Sequence, residues 1–164
     1  MKKIAVYPGT FDPVTKGHLD LIKRASTIFD EVIVAVAKSS TKSTLFSVDE
    51  RVTLIREATK DTPGISVESF DGLLINYLEE HHAHIILRGL RAISDFEYEF
   101  QMASMNRKLA SKFETIFMMT GEQYTYLSSR FIKEICRLGG EVDCFVHPAV
   151  NKALIDKFKN RKEV

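Results

Sequence analysis

The stretch that decides the fold is IAVYPGTFDPVTKGHLDLIKRASTIFDEVIVAVA, residues 4–37. Short runs rich in β-branched residues stand at its two ends, over residues 4–7 and 31–37, and each predicts a buried strand. Between them, residues 17–29 carry apolar side chains at helical spacing, with Ile28 and Phe29 in the expected last turn. A strand, a helix and a second strand in this order form one unit of a parallel sheet.

The same alternation continues along the rest of the chain. The pattern predicts helices over residues 48–59, 73–80 and 96–110, and strands over residues 65–70, 85–88 and 115–119. Two further helices are expected, one beginning near Ser128 and one after Pro148. Strands that alternate with helices favour an α/β fold with an open parallel sheet and helices on both faces. Ligands of such folds bind outside the carboxyl ends of the strands.

Composition limits the classes of function. A chain of 164 residues, 45% apolar, predicts a single domain over residues 1–164. Lys and Arg number 23 against 22 for Asp and Glu, so no overall positive field favours nucleic acid as a partner. No apolar run approaches the roughly 20 residues of a membrane span, and we expect a cytoplasmic protein. No spacing of Cys or His predicts a metal site.

The first candidate site is PGTFDPVTKGH, residues 8–18, which follows the first strand directly. Gly9 allows a sharp turn close to a ligand, and Thr10 supplies a hydroxyl and an amide. Gly17 and His18 open a helix, whose free N–H groups attract phosphate. An ordinary strand-to-helix turn is the alternative, but TKGH at this junction matches the T/HxGH motif of nucleotidyltransferases. The segment therefore predicts an anion site with an imidazole at its centre.

A second candidate site follows the fourth strand, where Arg88 and Arg91 flank Gly89 and Leu90. Two guanidinium groups at a strand end favour phosphate, which they bind in a forked geometry. The alternative is that both arginines pair with the carboxylates of Glu97 and Glu99 in a surface network.

Two weaker signals point to the same edge of the sheet. Ser128 and Ser129 stand at the expected start of a helix, where hydroxyls and free amides could hold a second part of a phosphate chain. Lys42 lies in a polar loop after the second strand, where a cation could close over a substrate phosphate. A solvated loop lysine is the alternative reading of Lys42, and the sequence leaves the two open.

Three segments, PGTFDPVTKGH, RGLRAISDFEYEFQMASMN and YTYLSSRFIKE, stand in an order and at separations that closely resemble the bacterial phosphopantetheine adenylyltransferase family. The resemblance implies a Rossmann-like fold with five parallel strands, assembled as a homohexamer. It implies reversible transfer of the adenylyl group of ATP to 4′-phosphopantetheine, which gives dephospho-coenzyme A and pyrophosphate. Mg²⁺ bound through the ATP phosphates would be the cofactor, and coenzyme A a feedback inhibitor.

The resemblance also implies roles for individual residues. His18, Lys42, Thr10 and Arg91 would be catalytic, and Thr10, Lys42, Leu74 and Arg88 would bind the phosphopantetheine substrate. ATP would be bound by Thr10, Phe11, His18, Gly89, Leu90, Arg91, Glu99, Tyr124, Thr125, Tyr126, Leu127, Ser128, Ser129 and Arg130. Arg130 departs from the family, which commonly has a third small hydroxyl residue at this place.

Two rival functions are weighed against this one. A related nucleotidyltransferase acting on nicotinate mononucleotide, or a cytidylyltransferase, would share the first motif but not the RGLRA segment. A nucleotide-binding module without turnover would keep the anion site and lack catalysis.

Overall fold

The computed structural model describes residues 2–38 and 43–159 of the chain. The first strand β1 spans Ile4–Gly9, helix α1 Lys16–Ala25, β2 Glu31–Ala37, α2 Val48–Thr59, β3 Ile65–Phe70 and α3 Leu74–Glu80. They are followed by β4 at Ile85–Leu90, α4 at Ile93–Leu109, β5 at Glu114–Met119, a short 3-10 turn at Glu122–Tyr124, α5 at Ser129–Arg137 and α6 at Pro148–Lys159. No helix of the described residues is long and apolar enough to cross a bilayer.

The five strands form one parallel sheet in the order β3-β2-β1-β4-β5. The prediction of an open parallel α/β sheet is therefore confirmed. Successive residues of β2 point to opposite faces, since Val32 and Val34 pack in one core and Ile33 and Ala35 in the other. The first core includes Leu21 of α1, and the second lies under α3. Helices thus cover both faces, as expected.

Local hydrogen bonds explain one boundary that differs from the prediction and one that matches it. Helix α1 ends at Ala25 rather than residue 29, because the hydroxyls of Ser26 and Thr27 donate to the carbonyls of Lys23 and Arg24. Ile28 is exposed as a result. Helix α2 begins as predicted, with a reciprocal capping box between Ser47 and Glu50.

The fourth strand is two residues longer than predicted. It continues through Gly89 and Leu90, which pair with Met118 and Met119 of β5. Helix α4 then begins at Ile93, three residues earlier than expected. Gly89 and Leu90 therefore belong to the sheet and not to a loop after it. This fixes the direction in which the flanking arginines leave the strand.

Candidate active site

A cleft opens where β1 and β4 separate. The two strands pair only through Ala5 with Ile85 and Val6 with Ile86, although both continue towards their carboxyl ends. The order of the strands reverses here, since the chain moves from β1 outward to β2 and β3, and then returns to β4 beside β1. A cleft of about 770 Å³ occupies this switch point, which is where open α/β sheets bind ligands.

The loop after β1 forms one wall of the cleft in a constrained conformation. Phe11 has φ of 50°, a left-handed value that is uncommon for a residue with a large side chain. Its buried ring packs edge-on against His18, with centroids 5.1 Å apart. A Cβ atom on Gly9 would lie 2.9 Å from the same ring, so only glycine fits there. The Phe11 ring therefore needs Gly9 on one side and supports the imidazole on the other.

Besides lining the cleft, His18 caps the start of α1. It is the third residue of α1, and its Nδ1 accepts a hydrogen bond of 3.0 Å from the backbone N–H of Thr15. Thr15 in turn accepts from the backbone N–H of His18 through its hydroxyl. This is a capping box in which imidazole takes the place usually held by Glu or Gln. The TxGH motif is thus also the start signal of the helix.

The capping bond determines the tautomer of the imidazole. Because a backbone N–H can only donate, Nδ1 carries the lone pair, and the proton of the neutral ring lies on Nε2. Burial, together with the charges of Arg91 and Arg88, lowers the pKa of His18 from 6.5 to about 4. The ring that lines the cleft is therefore neutral at physiological pH and offers an N–H donor.

Each arginine at the end of β4 is held by a carboxylate of α4. Arg88 donates from Nε and Nη2 to the two oxygens of Glu99, at 2.7 and 2.5 Å, and from Nη1 to the carbonyl of Pro8 at 2.8 Å. Arg91 pairs with Asp95 at 3.1 Å and donates to the carbonyl of Leu127. The alternative in which the arginines pair with Glu97 and Glu99 is therefore half right, since Arg91 uses Asp95.

These pairs orient both guanidinium groups. The hydrogen bond from Arg88 to the carbonyl of Pro8 links β4 to β1 where the two strands no longer pair, so Arg88 also fixes their separation at the cleft. The hydrogen bond from Arg91 keeps the pKa of Asp95 below its usual range, although partial burial acts in the opposite direction. Arg88, Arg91, Asp95 and Glu99 all line the cleft. Both cations are therefore fixed in place before a ligand arrives.

The third segment reaches the cleft through the start of α5. Ser128 is the N-cap, and its hydroxyl accepts from the backbone N–H of Phe131. Ser129 donates to the carbonyl of Pro13, which ties α5 to the first motif. The two serine hydroxyls therefore already have protein partners. Arg130 is exposed and lines the cleft beside Ser129.

The structure brings together most, but not all, of the residues predicted for the site. A small side cavity of about 60 Å³, which shares His18, Gly89 and Arg91 with the cleft, is lined by Tyr124 and Leu127. The main cleft is lined by Thr10, Phe11, His18, Arg88, Gly89, Arg91, Glu99, Ser129 and Arg130. Five of the predicted site residues line neither cavity: Leu74, Leu90, Thr125, Tyr126 and Ser128. Lys42 lies outside the described residues.

Sequence reasoning missed several residues of the cleft. The ring of Tyr7 is buried at its base, and burial raises the pKa of its hydroxyl, which stays neutral. Lys133 reaches the cleft from α5 and pairs with Asp12 at 2.6 Å. In the side cavity, the buried hydroxyl of Thr120 has no hydrogen-bond partner among the residues that the structure describes. Asp12 stands within the quoted motif, but nothing in its spacing identifies a partner over 100 residues away.

Comparison with known proteins shows the family to which the chain belongs. The cytidylyltransferase-like family matches residues 6–135. The nicotinic acid mononucleotide adenylyltransferase of Plasmodium falciparum, solved in complex with NaAD, superposes with a TM-score of 0.69, covering 98% of this chain and 96% of its own at 14% identity. At that identity the likeness concerns the fold alone. The chain is thus a member of the cytidylyltransferase-like nucleotidyltransferases.

Closer relatives narrow the family. The phosphopantetheine adenylyltransferase of Syntrophotalea carbinolica is 55% identical over 163 residues, which cover 99% of this chain and 98% of the relative. The enzyme of the same name from Geobacter sulfurreducens is 58% identical over 156 residues, covering 95% of each chain. This chain belongs to the phosphopantetheine adenylyltransferase family, as the three sequence segments predicted.

Proposed function

We propose that this protein transfers the adenylyl group of ATP to 4′-phosphopantetheine, in a reversible reaction that gives dephospho-coenzyme A and pyrophosphate. Membership of the family supports the reaction. The observation that carries it at the site is that His18, the Thr10 loop and two arginines oriented by carboxylates line one cleft at the switch point. ATP and the acceptor are phosphorylated cytoplasmic metabolites, and we assign the protein to the cytoplasm on that ground.

Adenylyl transfer to a phosphate needs a hydrogen-bond donor at the α-phosphate more than it needs a general base. The acceptor phosphate is already ionised near neutral pH, so an oxygen of that phosphate attacks the α-phosphorus directly. The new O–P bond forms as the bond between the α-phosphorus and the oxygen that bridges it to the β-phosphate breaks. Pyrophosphate leaves on the side opposite the nucleophile, and no covalent enzyme intermediate forms. Positioning and charge stabilisation then supply the catalysis.

The geometry of His18 supports a donor role. Its Nδ1 lone pair is engaged by the Thr15 amide, so the ring cannot take a proton through that atom without losing the capping bond. We assign Nε2–H to the α-phosphate oxygen on which charge builds in the transition state. Thr10 and Lys42 would hold the nucleophilic phosphate, and Lys42 remains a prediction from sequence.

The remaining assignments follow the charges of the cleft. Arg91 and the amino end of α5 at Ser129 would hold the pyrophosphate, because guanidinium and free helix amides both favour phosphate oxygens. Arg130, exposed beside them, would add a third donor. Arg88, held in place by its bonds to Glu99 and to the carbonyl of Pro8, would contact the acceptor.

The metal would enter with the nucleotide. Among the described residues no group of three or more metal-binding side chains comes together. Each of the cleft carboxylates of Asp12, Asp95 and Glu99 has a cationic partner. We therefore assign Mg²⁺ to the oxygens of the ATP phosphates, where it would neutralise charge on the leaving pyrophosphate.

Assembly is part of the proposal, and helix α4 supports it. Glu99 is the only buried residue among the α4 side chains that the structure describes, whereas Phe96, Phe100 and Met105 are 47%, 56% and 61% exposed. Large exposed apolar patches are uncommon on soluble monomers. We propose that these exposed side chains pack against other copies of the chain in a homohexamer. Light scattering should give a mass of about six chains, and a monomer mass would contradict the assignment.

Coenzyme A differs from the product by one phosphate group and would bind the same cleft as a feedback inhibitor. The function is tested by offering ATP with 4′-phosphopantetheine or nicotinate mononucleotide, and CTP with phosphocholine, and identifying the products by mass spectrometry. Only the first acceptor should be adenylylated. Cytidylyl transfer to phosphocholine would assign the cytidylyltransferase function. Adenylylation of nicotinate mononucleotide instead, or ATP binding without turnover of any acceptor, would assign one of the rival functions.

A further inference from the structure

Arg51 is a buried cation that lies behind the cleft and does not line it. Only 2% of the residue is exposed, although arginine is almost never fully buried without a partner. Its guanidinium donates to three backbone carbonyls: Thr10 at 2.7 Å, Ala37 at 3.0 Å and Ser47 at 3.3 Å. These carbonyls belong to the loop after β1, to the end of β2 and to the start of α2. One side chain therefore joins three separate segments.

Asp12, in the same loop, makes the complementary set of bonds. Its carboxylate is 5% exposed and accepts from the backbone N–H groups of Leu45 and Phe46, each at 2.9 Å. The same carboxylate accepts from Lys133 of α5 at 2.6 Å. Burying a charge is costly unless hydrogen bonds compensate it, so both ions hold their partners firmly.

Together the two ions hold both ends of the segment between β2 and α2 against the loop that carries Thr10. Ala37 lies at one end of this segment, and Leu45 and Phe46 lie near the other. Thr10 itself is held through its carbonyl oxygen, a contact that does not use its hydroxyl. Ser43 and Thr44 of the same segment line the cleft. No hydrogen bond of Arg51 reaches His18, Arg91 or Ser129 among the described residues.

We propose that Arg51, supported by Asp12, is a positioning residue for the acceptor side of the cleft. It sets the distance between the Thr10 loop and the segment after β2, between which the acceptor phosphate is held. The inference rests on the proposed function for the identity of the acceptor. Displacement of a binding group by about 1 Å can lower the rate by about 10²-fold. Thr10 is expected to contact both substrates, whereas the segment after β2 faces the acceptor, so the loss should be larger for the acceptor than for ATP.

Helix α2 supplies a matched control. Arg56 lies on the same helix and also donates to a backbone carbonyl, that of Val67 at 2.8 Å, but it faces β3 and does not line the cleft. Arg51→Gln and Arg56→Gln remove the same kind of bond from the same element. Arg56 is exposed and makes one such bond, so Arg56→Gln controls for the loss of an arginine from α2. A purely structural role for Arg51 would lower stability without separating the KM values of the two substrates.

The test measures steady-state kinetics with each substrate varied in turn. Arg51→Gln should raise the KM for 4′-phosphopantetheine by about tenfold or more and the KM for ATP by several-fold less. Arg51→Lys should lie between Arg51→Gln and the wild type, because one ammonium group cannot reach three carbonyls. Arg56→Gln should match the wild type. Equal effects on both substrates, no effect, or the same effect in Arg56→Gln would overturn the proposal.

A second measurement needs no substrate and tests the positioning role of Arg51 separately from the proposed function. The Leu45 and Phe46 amides, which donate to Asp12, should be protected from hydrogen exchange in the wild type and exchange at least about tenfold faster in Arg51→Gln. Unchanged exchange would contradict the positioning role even if the enzyme is active. Faster exchange with no turnover in the wild type would instead contradict the proposed function. If Arg51→Gln does not fold, Asp12→Asn should give the same exchange and kinetic result.

Discussion

Substitution of His18 should separate its two functions, the cap of α1 and the donor in the cleft. In His18→Ala both are lost, because the Thr15 N–H loses its acceptor and the cleft loses its Nε2–H group. Thr15 remains the N-cap, and loss of the one reciprocal hydrogen bond costs about 1 kcal/mol of unfolding free energy, within a range of about 0.5–1.5. Loss of a transition-state donor costs about 10²–10³ in kcat, or about 2.7–4 kcal/mol. The catalytic loss should therefore be the larger.

Two further variants keep the cap and change the donor. A glutamate at this third helical position is the usual partner in a capping box, so His18→Glu should recover the helix start. Its carboxylate cannot donate to a phosphate oxygen, and its kcat should be no higher than that of His18→Ala. The amide of His18→Gln can both accept from Thr15 and donate into the cleft, so this variant should have the highest kcat of the three.

The assays are urea unfolding for stability and pyrophosphate release for turnover. The expected order of stability places His18→Gln above His18→Ala, and the expected order of kcat places His18→Gln above His18→Glu. A kcat for His18→Ala within about threefold of the wild type would refute the donor role, since a lost donor costs at least about 10². Equal stability of the alanine and glutamine variants would refute the capping role.

The remaining predictions concern pH, packing and the site. Burial and the nearby arginines lower the pKa of His18 to about 4, so between pH 6.5 and about 4 the folded state binds fewer protons than the unfolded state. The free energy of unfolding, measured with urea, should therefore fall as the pH is lowered through this window, and it should fall less steeply in His18→Gln than in the wild type. His81 behaves oppositely: partial burial lowers its pKa, but bonds to the Tyr77 carbonyl and Glu68 carboxylate, each 2.9 Å away, raise it overall. Its stabilising effect should be present below pH 6.5 and disappear as pH rises through the raised pKa, and a wild-type profile unchanged by His81→Phe would contradict this. Gly89→Ala would place a Cβ atom 2.5 Å from Leu21 and should cost about 1–3 kcal/mol in urea unfolding, so an unchanged midpoint would refute the packing argument.

The sheet could be predicted because its strands are buried on both faces. Runs such as residues 31–37 are apolar throughout, and the predicted ends of β2, α2 and β3 match the structure. The end of α1 could not be predicted, since the apolar spacing continues to Phe29. The hydroxyls of Ser26 and Thr27 decide it, because such local bonds compete with the backbone bonds of a helix and the apolar spacing does not record them.

The site could be predicted where a motif places its own residues side by side. The segment from Gly9 to His18 is of this kind, because its strand, turn and helix are contiguous. The capping function of His18 could also have been found from Thr15, since a Thr three residues before the His is a capping-box spacing. The signal was hidden because imidazole is not the residue usually found there.

Contacts between distant parts of the chain could not be predicted. Asp12 and Lys133 are 121 residues apart and Thr10 and Arg51 are 41 apart, and no periodicity records such pairs. The pairing of Arg91 with Asp95 and not Glu97 depends on where α4 begins, three residues before the predicted start. With the predicted start at residue 96, Asp95 would lie before the helix, whereas in the structure it lies in the first turn of α4 and reaches Arg91.

The measurement that tests the central claim most directly follows the phosphorus atoms of ATP. ATP labelled at the α-phosphorus and ATP labelled at the γ-phosphorus are each incubated with 4′-phosphopantetheine, and the products are separated and counted. Adenylyl transfer predicts that the α label appears in dephospho-coenzyme A and the γ label in pyrophosphate. A γ label in the acceptor product, with ADP released, would show transfer of the terminal phosphoryl group and contradict the account.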